Sequence, residues 1–418
     1  MGKTITSIDQ NKYCKTVLES GLTVISEKID SVRSVAVGIW IKMGSRFERP
    51  EESGLSHFLE HMMFKGTHKR TPFKIAQSLE SLGGTLNAFT GKEVTCYFAN
   101  AQDIHLNQSI EILGDIICDS TFPEKEISRE KMVILEEIKS IKDTPEEYIF
   151  DLFSEQLFPD NPLGWPVIGR EDTIAQFDHN RTVEFWQKYY NPAEIVIAAA
   201  GNLEHEKVVS LIRKHFSLVD KPHQKPHVPV TVATSKFFVI NQPINQAHIC
   251  IGGKSTSYLS EERMPLLIIN TYLGGGMSSC LFQKLREKKG LVYNVYSFVD
   301  FFSDIGVTGI YAAADPKKLN TVQELVFEEL SILCKKSLSE KNLKMVKDQL
   351  KGNFVLSLES TSRRMSRLAK NELYFGEYIS MDALLEQIDR VTREEIEQTI
   401  QKVFCPADFI TVILQPTP

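Results

Sequence analysis

Residues 54–67 read G-L-S-H-F-L-E-H-M-M-F-K-G-T. A helix carries residues four apart onto one face, one turn above the other, so His57 and His61 converge on a single point. Leu55, Phe58, Leu59, Met62 and Met63 supply the apolar side that packs such a helix, leaving the histidines and Glu60 to look into a cleft. Two convergent imidazoles suit zinc, which takes nitrogen ligands in tetrahedral geometry and keeps one position open for water where it is catalytic. Glu60 follows His57 by three residues and precedes His61 directly, beside the pair without needing to bind, which is the place for a general base. With ten histidines in 418 residues, H-x-x-E-H should arise by accident roughly 0.02 times in a chain of this length. The alternative, two histidines four apart on a solvated helix, is therefore the weaker reading.

A third protein ligand is needed, and a carboxylate from a neighbouring helix is chemically suitable. The helical pattern at residues 127–141 offers Glu130, Glu136 and Glu137. Glu130 and Glu137 share a face two turns apart, whereas Glu136 points about 100° away from Glu137. Spacing alone does not choose among them.

Outward from this segment, residues 35–43, 94–98 and 195–200 alternate or run apolar as strands do, and 53–64, 73–82, 110–117 and 127–141 carry helical periodicity. Pro222, His223, Pro226, His227 and Pro229 mark a proline-rich linker near the midpoint. Beyond it the order returns: strands at 237–240 and 247–252, helices at 263–273 and 281–288, then strands flanking Asp304. The helix at 127–141 has a weak echo at 339–354, so the halves read as diverged copies. The expected domains are 1–220, a linker at 221–235, and 236–418. Mixed elements without regular β-α-β alternation predict an α+β fold, each half a largely antiparallel sheet with helices packed on one face.

Length points the same way, since 418 residues exceed what one core usually serves. Hydrophobic residues at 42% and charged residues at 24% are ordinary for a globular chain. A net charge of −6 without a run of like charges gives no case for nucleic acid or an anionic membrane as partner. Seven scattered cysteines, odd in number and never as C-x-x-C, fit neither a disulfide framework nor a cysteine metal site, and imply a reducing compartment. The first residues lack a secretory or organelle signal, and no apolar run reaches the roughly 18 residues of a membrane span, so a cytoplasmic chain without membrane insertion is expected. Gly274, Gly275 and Gly276 lead into Met277 without the G-K-[ST] of a phosphate loop, which leaves a helix start or a flexible loop in contact with substrate.

Together with G-G-T-L-N-A-F-T-G-K-E-V-T-C-Y-F (83–98), V-I-L-E-E-I (133–138), N-P-L-G-W-P-V-I-G (161–169) and L-F-Q-K-L-R-E-K-K-G-L-V-Y (281–293), the metal motif resembles the pitrilysin family of inverzincin zinc peptidases over nearly the whole chain. The likeness is to its half-length branch, which includes the mitochondrial processing peptidase beta subunit and bacterial relatives. It implies one Zn²⁺ per chain held by His57, His61 and Glu137, with Glu130 outside the coordination sphere orienting a ligand. It further implies that the backbone from Gly84 to Val94 presents an edge on which substrate adds as a strand, through Gly84, Thr85, Leu86, Asn87, Ala88 and Phe89. Independently, Thr85, Asn87 and Phe89 are acceptable strand residues, and Asn87 reads either as a contact to substrate backbone or as a turn residue. Arg286 and Tyr293 match a pair that faces the metal and stabilises the oxyanion; without the resemblance they are a solvated cation and a core tyrosine. The implied activity is hydrolysis of extended peptides or unfolded segments in a cavity enclosed by a clamshell of two halves, in a homodimer or a heterodimer with a related chain. The alternative is a non-catalytic scaffold or partner subunit, against which the intact His57, Glu60, His61 and Glu137 set speaks. Asn161 and Glu194 depart from the family pattern, outside the chemistry.

Overall fold

Period-two and 3.6-period stretches fold into sheets and covering helices in the computed structural model, which describes residues 4–6, 13–218, 225–226, 228–234 and 236–417. Pro222, His223 and His227 of the expected linker lie outside the described residues. The chain forms two compact units, each discontinuous in sequence: Met1–Ile138 with Trp165–Val228 and Ser357–Tyr378, and Lys139–Gly164 with Pro229–Leu356 and Ile379–Pro418. The sequence halves thus exchange a segment in each direction.

The first unit holds strands β1 (Thr4–Thr6), β2 (Tyr13–Val17), β3 (Thr23–Lys28), β4 (Ser34–Ile41), β5 (Thr85–Thr90), β6 (Thr95–Gln102) and β7 (Ile195–Gly201). They form one sheet in the order β1-β2-β3-β7-β4-β6-β5, antiparallel except where β3 pairs with β7. The second unit holds β8 (Phe237–Gln242), β9 (Ala247–Ser255), β10 (Val292–Phe301), β11 (Gly306–Ala314) and β12 (Ile410–Pro416), in the order β10-β11-β9-β12-β8, antiparallel except for β8 with β12. When β3 to β7 are read as β8 to β12, the two orders and the single parallel ladder coincide. That correspondence is the duplication that the sequence echo suggested, now carried by topology.

Alternation along the central strands buries both sheet faces. In the first unit, Ala36 and Trp40 of β4 meet Met365, Leu368 and Ala369 of the helix Thr361–Phe375, which arrives from the second half of the sequence. Gly38 permits that approach, because a Cβ there would fall 2.5 Å from Met365 Sδ. The ion pair of Lys15 with Glu372 (2.7 Å) and the stacking of Tyr13 on Tyr378 (4.3 Å) hold the same segment in place. In the second unit, the helix Pro145–Leu157 fills the corresponding role, packing Ile149, Phe153 and Leu157 against Cys250, Tyr311 and Val412. Among the described residues no helix is long and apolar enough to cross a membrane.

The helix that bears the metal motif, α1 (Leu55–Met62), lies in the first unit with Leu55, Phe58, Leu59 and Met62 buried. Each such side chain contributes about 1.5–3 kcal/mol relative to its exposed state. Its first turn begins at Gly54, which takes φ +90° and offers no capping side chain. A Cβ at Gly54 would lie 2.7 Å from the Gly169 Cα, so close backbone packing and left-handed geometry both call for glycine. The missing cap comes from Glu48, whose Oε2 accepts from the Gly54 amide at 2.8 Å and whose Oε1 accepts from the Ser56 amide at 2.7 Å. Glu48 is 1% exposed, and burial pushes its carboxyl up to about 7 against the pull of those two amides.

Because the folded chain holds the Glu48 proton more tightly than the unfolded chain, this group lowers stability as pH rises from the usual carboxylate range toward 7. In urea unfolding, wild type should therefore lose stability relative to Glu48→Gln across that window and run parallel to it above. A pH-independent difference between the two curves would show that Glu48 titrates normally.

Candidate active site

Three carboxylates and two imidazoles are brought together where α1 meets a second helix, Glu124–Lys142 (α2), whose residues 124–138 belong to the first unit. The apolar stripe of α1 faces the core, so His57, Glu60 and His61 are left half-buried on the other side. On α2 the stripe Ile127, Ile134 and Ile138 is buried, and Glu130 lies on the buried side with it at 3% exposure. Glu137 is half-exposed beside His61, and Glu136, one position earlier, is exposed. Of the three glutamates that spacing left open, the rotation of α2 groups Glu137 with His57 and His61, sets Glu130 against His61 Nδ1 and leaves Glu136 exposed.

Ligand atoms of His57, His61 and Glu137 all lie within 4.8 Å of one another, and among the described residues this is the group suited to a metal ion. The His61 Nε2 to Glu137 Oε2 distance is 3.7 Å. Tetrahedral zinc with ligands at about 2.1 Å separates them by about 3.4 Å, so the donor set fits such an ion after small side-chain adjustment. The rings of His57 and His61 are 4.7 Å apart at 62°.

Hydrogen bonds set the state of each donor. His61 Nδ1 lies 3.2 Å from Glu130 Oε2, and a carboxylate only accepts, so Nδ1 carries the hydrogen and Nε2 is left with its lone pair. Lys65 holds the other Glu130 oxygen at 2.7 Å. Burial works against ionisation of Glu130, yet His61 and Lys65 together hold its carboxyl below the usual range. Burial likewise opposes charge on His61, but the Glu130 bond and the fields of Glu137 and Glu60 outweigh it and raise the imidazole above its ordinary value. His57 goes the other way: burial, helped by His61, pushes it down to about 3. It is thus neutral, as a ligand must be, with a buried Nδ1 that has no hydrogen-bond partner.

Glu60 is not in the ligand group. Burial raises its carboxyl, while a hydrogen bond from the Thr90 hydroxyl at the end of β5 opposes that rise. Beside it lie Tyr97 and Tyr190, fully buried, whose hydroxyls bond each other at 2.8 Å; burial first, and the Glu60 charge in addition, keeps both protonated. A carboxylate adjoining the ligands, raised in basicity and free of the metal set, is what general base chemistry requires.

The other expected residues are placed as follows. Thr85, Leu86, Asn87, Ala88 and Phe89 lie on β5, the edge strand of its sheet, with Gly84 just before it. Asn87 Oδ1 accepts from the Ala88 amide at 2.8 Å, and Phe89 packs edge-on against Trp40. Arg286 and Tyr293 belong to the second unit. Arg286 is exposed over the Phe282 ring at 5.0 Å within a π-helical turn, Phe282–Lys288, and Tyr293 is 59% exposed on β10, an edge strand in its own sheet. Thr90, Lys65 and Glu48 escaped the sequence reading. The usable signal for Thr90 was its inward position in the alternation of β5; for the other two it was proximity in sequence to the motif.

Residues 23–171 match the family described as Insulinase (Peptidase family M16), and residues 176–350 match the Peptidase M16 inactive domain. The chain is 37% identical to an uncharacterized zinc protease of Bacillus subtilis, covering 96% of this chain and 97% of that one. It is also 37% identical to an uncharacterized zinc protease of Streptomyces coelicolor, over 96% and 89% of the two chains. In fold it is similar to a protease from Helicobacter pylori, with a TM-score of 0.91 at 24% identity over 97% of this chain and 99% of that one. Matches that run through both halves at this identity are those of common descent, and the chain belongs to peptidase family M16.

Proposed function

We propose that this chain is a zinc metalloendopeptidase that cleaves extended peptides or unfolded segments, with one ion per chain held by His57, His61 and Glu137. The observation that carries the reading is the convergence of those three donors with Glu60 beside them and outside the set. Relatives named as zinc proteases support it. A zinc ion held there supplies Lewis acidity, which makes water nucleophilic at neutral pH and polarises a scissile carbonyl. Glu60 takes the proton from the attacking water and delivers it to the leaving amine. Glu130 fixes the His61 ring, and Lys65 keeps Glu130 ionised for that purpose. The edge position of β5 favours substrate addition as a further strand, where backbone pairing gives affinity with loose sequence demands. Arg286 and Tyr293 act on the oxyanion in this proposal, and the working form is a cytoplasmic dimer.

Glu60→Gln should retain zinc and lose cleavage of a quenched fluorescent peptide library by about 10²- to 10⁴-fold. Full, chelator-insensitive cleavage by that variant would end the proposal. In chelator competition Glu137→Gln should weaken zinc by more than the roughly 10- to 100-fold typical of an outer-shell partner, the range expected for Glu130→Gln. Glu136→Gln should bind as wild type does, and a reversal between positions 136 and 137 would reassign the ligand. Arg286→Ala and Tyr293→Phe should keep zinc and each reduce kcat by about 10²-fold; unchanged turnover would remove them from the reaction.

A further inference from the structure

We propose that Thr90 is a positioning residue for Glu60, tying the edge strand to the carboxylate that moves the proton. This role rests on the peptidase reading above and adds to it a route by which strand addition on β5 reaches the chemistry.

Along β5, Leu86, Ala88 and Thr90 are half-buried while Thr85, Asn87 and Phe89 are exposed. Phe89 turns to Trp40 on one sheet face, so Thr90, one residue on, is directed to the opposite face, where α1 lies. Among the described residues the Thr90 hydroxyl is the only side-chain donor bonded to Glu60, through Oε2. Tyr97 and Tyr190, the nearby hydroxyls, are engaged with each other. The terminal torsion of a glutamate is broad and nearly two-fold, so without a donor the carboxylate plane is not fixed. With Oε2 held by Thr90, Oε1 remains free to accept from water. One proton passes from water to Glu60 and on to the leaving amine, and the Thr90 proton stays on Thr90 throughout.

The strand end itself cannot drift. Thr90 pairs with Thr95 on β6, and the hairpin beyond it is held by Ser45 N donating to Gly91 O (3.2 Å) and Arg46 N donating to Lys92 O (2.8 Å). The buried ion pair of Arg46 with Glu93 (2.6 Å) and the Tyr374 hydroxyl on the other Glu93 oxygen (2.9 Å) lock the same turn. An extended peptide paired along β5 is therefore registered against a fixed strand, and through Thr90 against Glu60. Longer peptides that pair with several β5 residues are therefore expected to raise kcat as well as lower KM.

The test compares zinc-loaded wild type with Thr90→Val, which keeps the shape and removes the donor, and Thr90→Ser, which keeps the donor. Measurements are zinc content, melting temperature, and kcat and KM on a short and a long extended fluorogenic peptide. Thr90→Val should lose about 10- to 100-fold in kcat with zinc content unchanged and KM within about twofold. It should also lose the gain in kcat with peptide length, and Thr90→Ser should recover both effects. Wild-type kcat in Thr90→Val, or an equal loss in Thr90→Ser, overturns the role of the hydroxyl. Zinc-loaded wild type that cleaves neither peptide overturns the peptidase reading and this role with it, whereas an active wild type beside an unimpaired Thr90→Val overturns the role alone.

Discussion

The site depends on how the first turn of α1 is held. A helix begins with unpaired amides, and the residue at the cap of this one is a glycine in a left-handed conformation that has no side chain to offer. Glu48 supplies the acceptor from outside the helix and does so as a buried carboxylate, which is an unfavourable state for a charge. A serine at the cap would serve stability better, but the close crossing of Gly54 with Gly169 leaves it no room. The short segment from Ser45 to Glu48 therefore does two things within four residues: its amides and Arg46 hold the β5-β6 hairpin, and its glutamate holds the helix that carries both histidines. Edge strand and metal helix are indexed to each other through it.

The electrostatics of the site divide along the same line. His57 is kept neutral by burial, while His61, one turn on, lies between Glu130 and Glu137 in a field that draws positive charge. That field raises the His61 imidazole above its ordinary value, and a divalent cation held at Nε2 would answer the same carboxylates. The pair is thus asymmetric for a physical reason: burial and the neighbouring ring push His57 down, while the carboxylates around His61 push it up.

What the sequence could say about this site was limited to what a single helix fixes. His57, Glu60 and His61 are locked together by helical geometry, so their face was readable from spacing alone. Glu137 was not, because Glu136 and Glu137 differ only in the rotation of α2 about its axis, and that is set by the burial of Ile127, Ile134 and Ile138 against the rest of the unit. Glu48 acts across a loop onto α1 and leaves no periodic trace, while the alternation of β5 turns Thr90 inward without identifying the carboxylate it meets. The strands at 35–43 and 195–200 were legible as β4 and β7, but the alternation at 35–43 reads as a half-buried strand, whereas β4 is central and buried on both faces. The destination of the helix Thr361–Phe375 was illegible for the opposite reason: an amphipathic pattern reports that a face is buried but not against which sheet, and this face is buried in the other half's unit.

The duplication explains why the proposed chemistry calls for a single ion. In the second unit the helix Arg263–Gly274 follows β9 and precedes β10, the topological place that α1 holds between β4 and β5. Its buried positions are taken by Met264, Leu266, Ile268, Ile269 and Leu273, and it carries neither histidine nor carboxylate beyond the cap residue Glu262. Glu262 is itself engaged by Ser260, Thr256 and Lys402, a partnership that holds its carboxyl below the usual range and removes it as a donor. The repeated scaffold thus keeps the sheet and its edge strand in both copies, while among the described residues the donor group suited to a metal lies in one of them. A second edge strand, β10, bears Tyr293 at its start, so in the proposed chemistry that copy would supply contacts to substrate and the other the bond breaking.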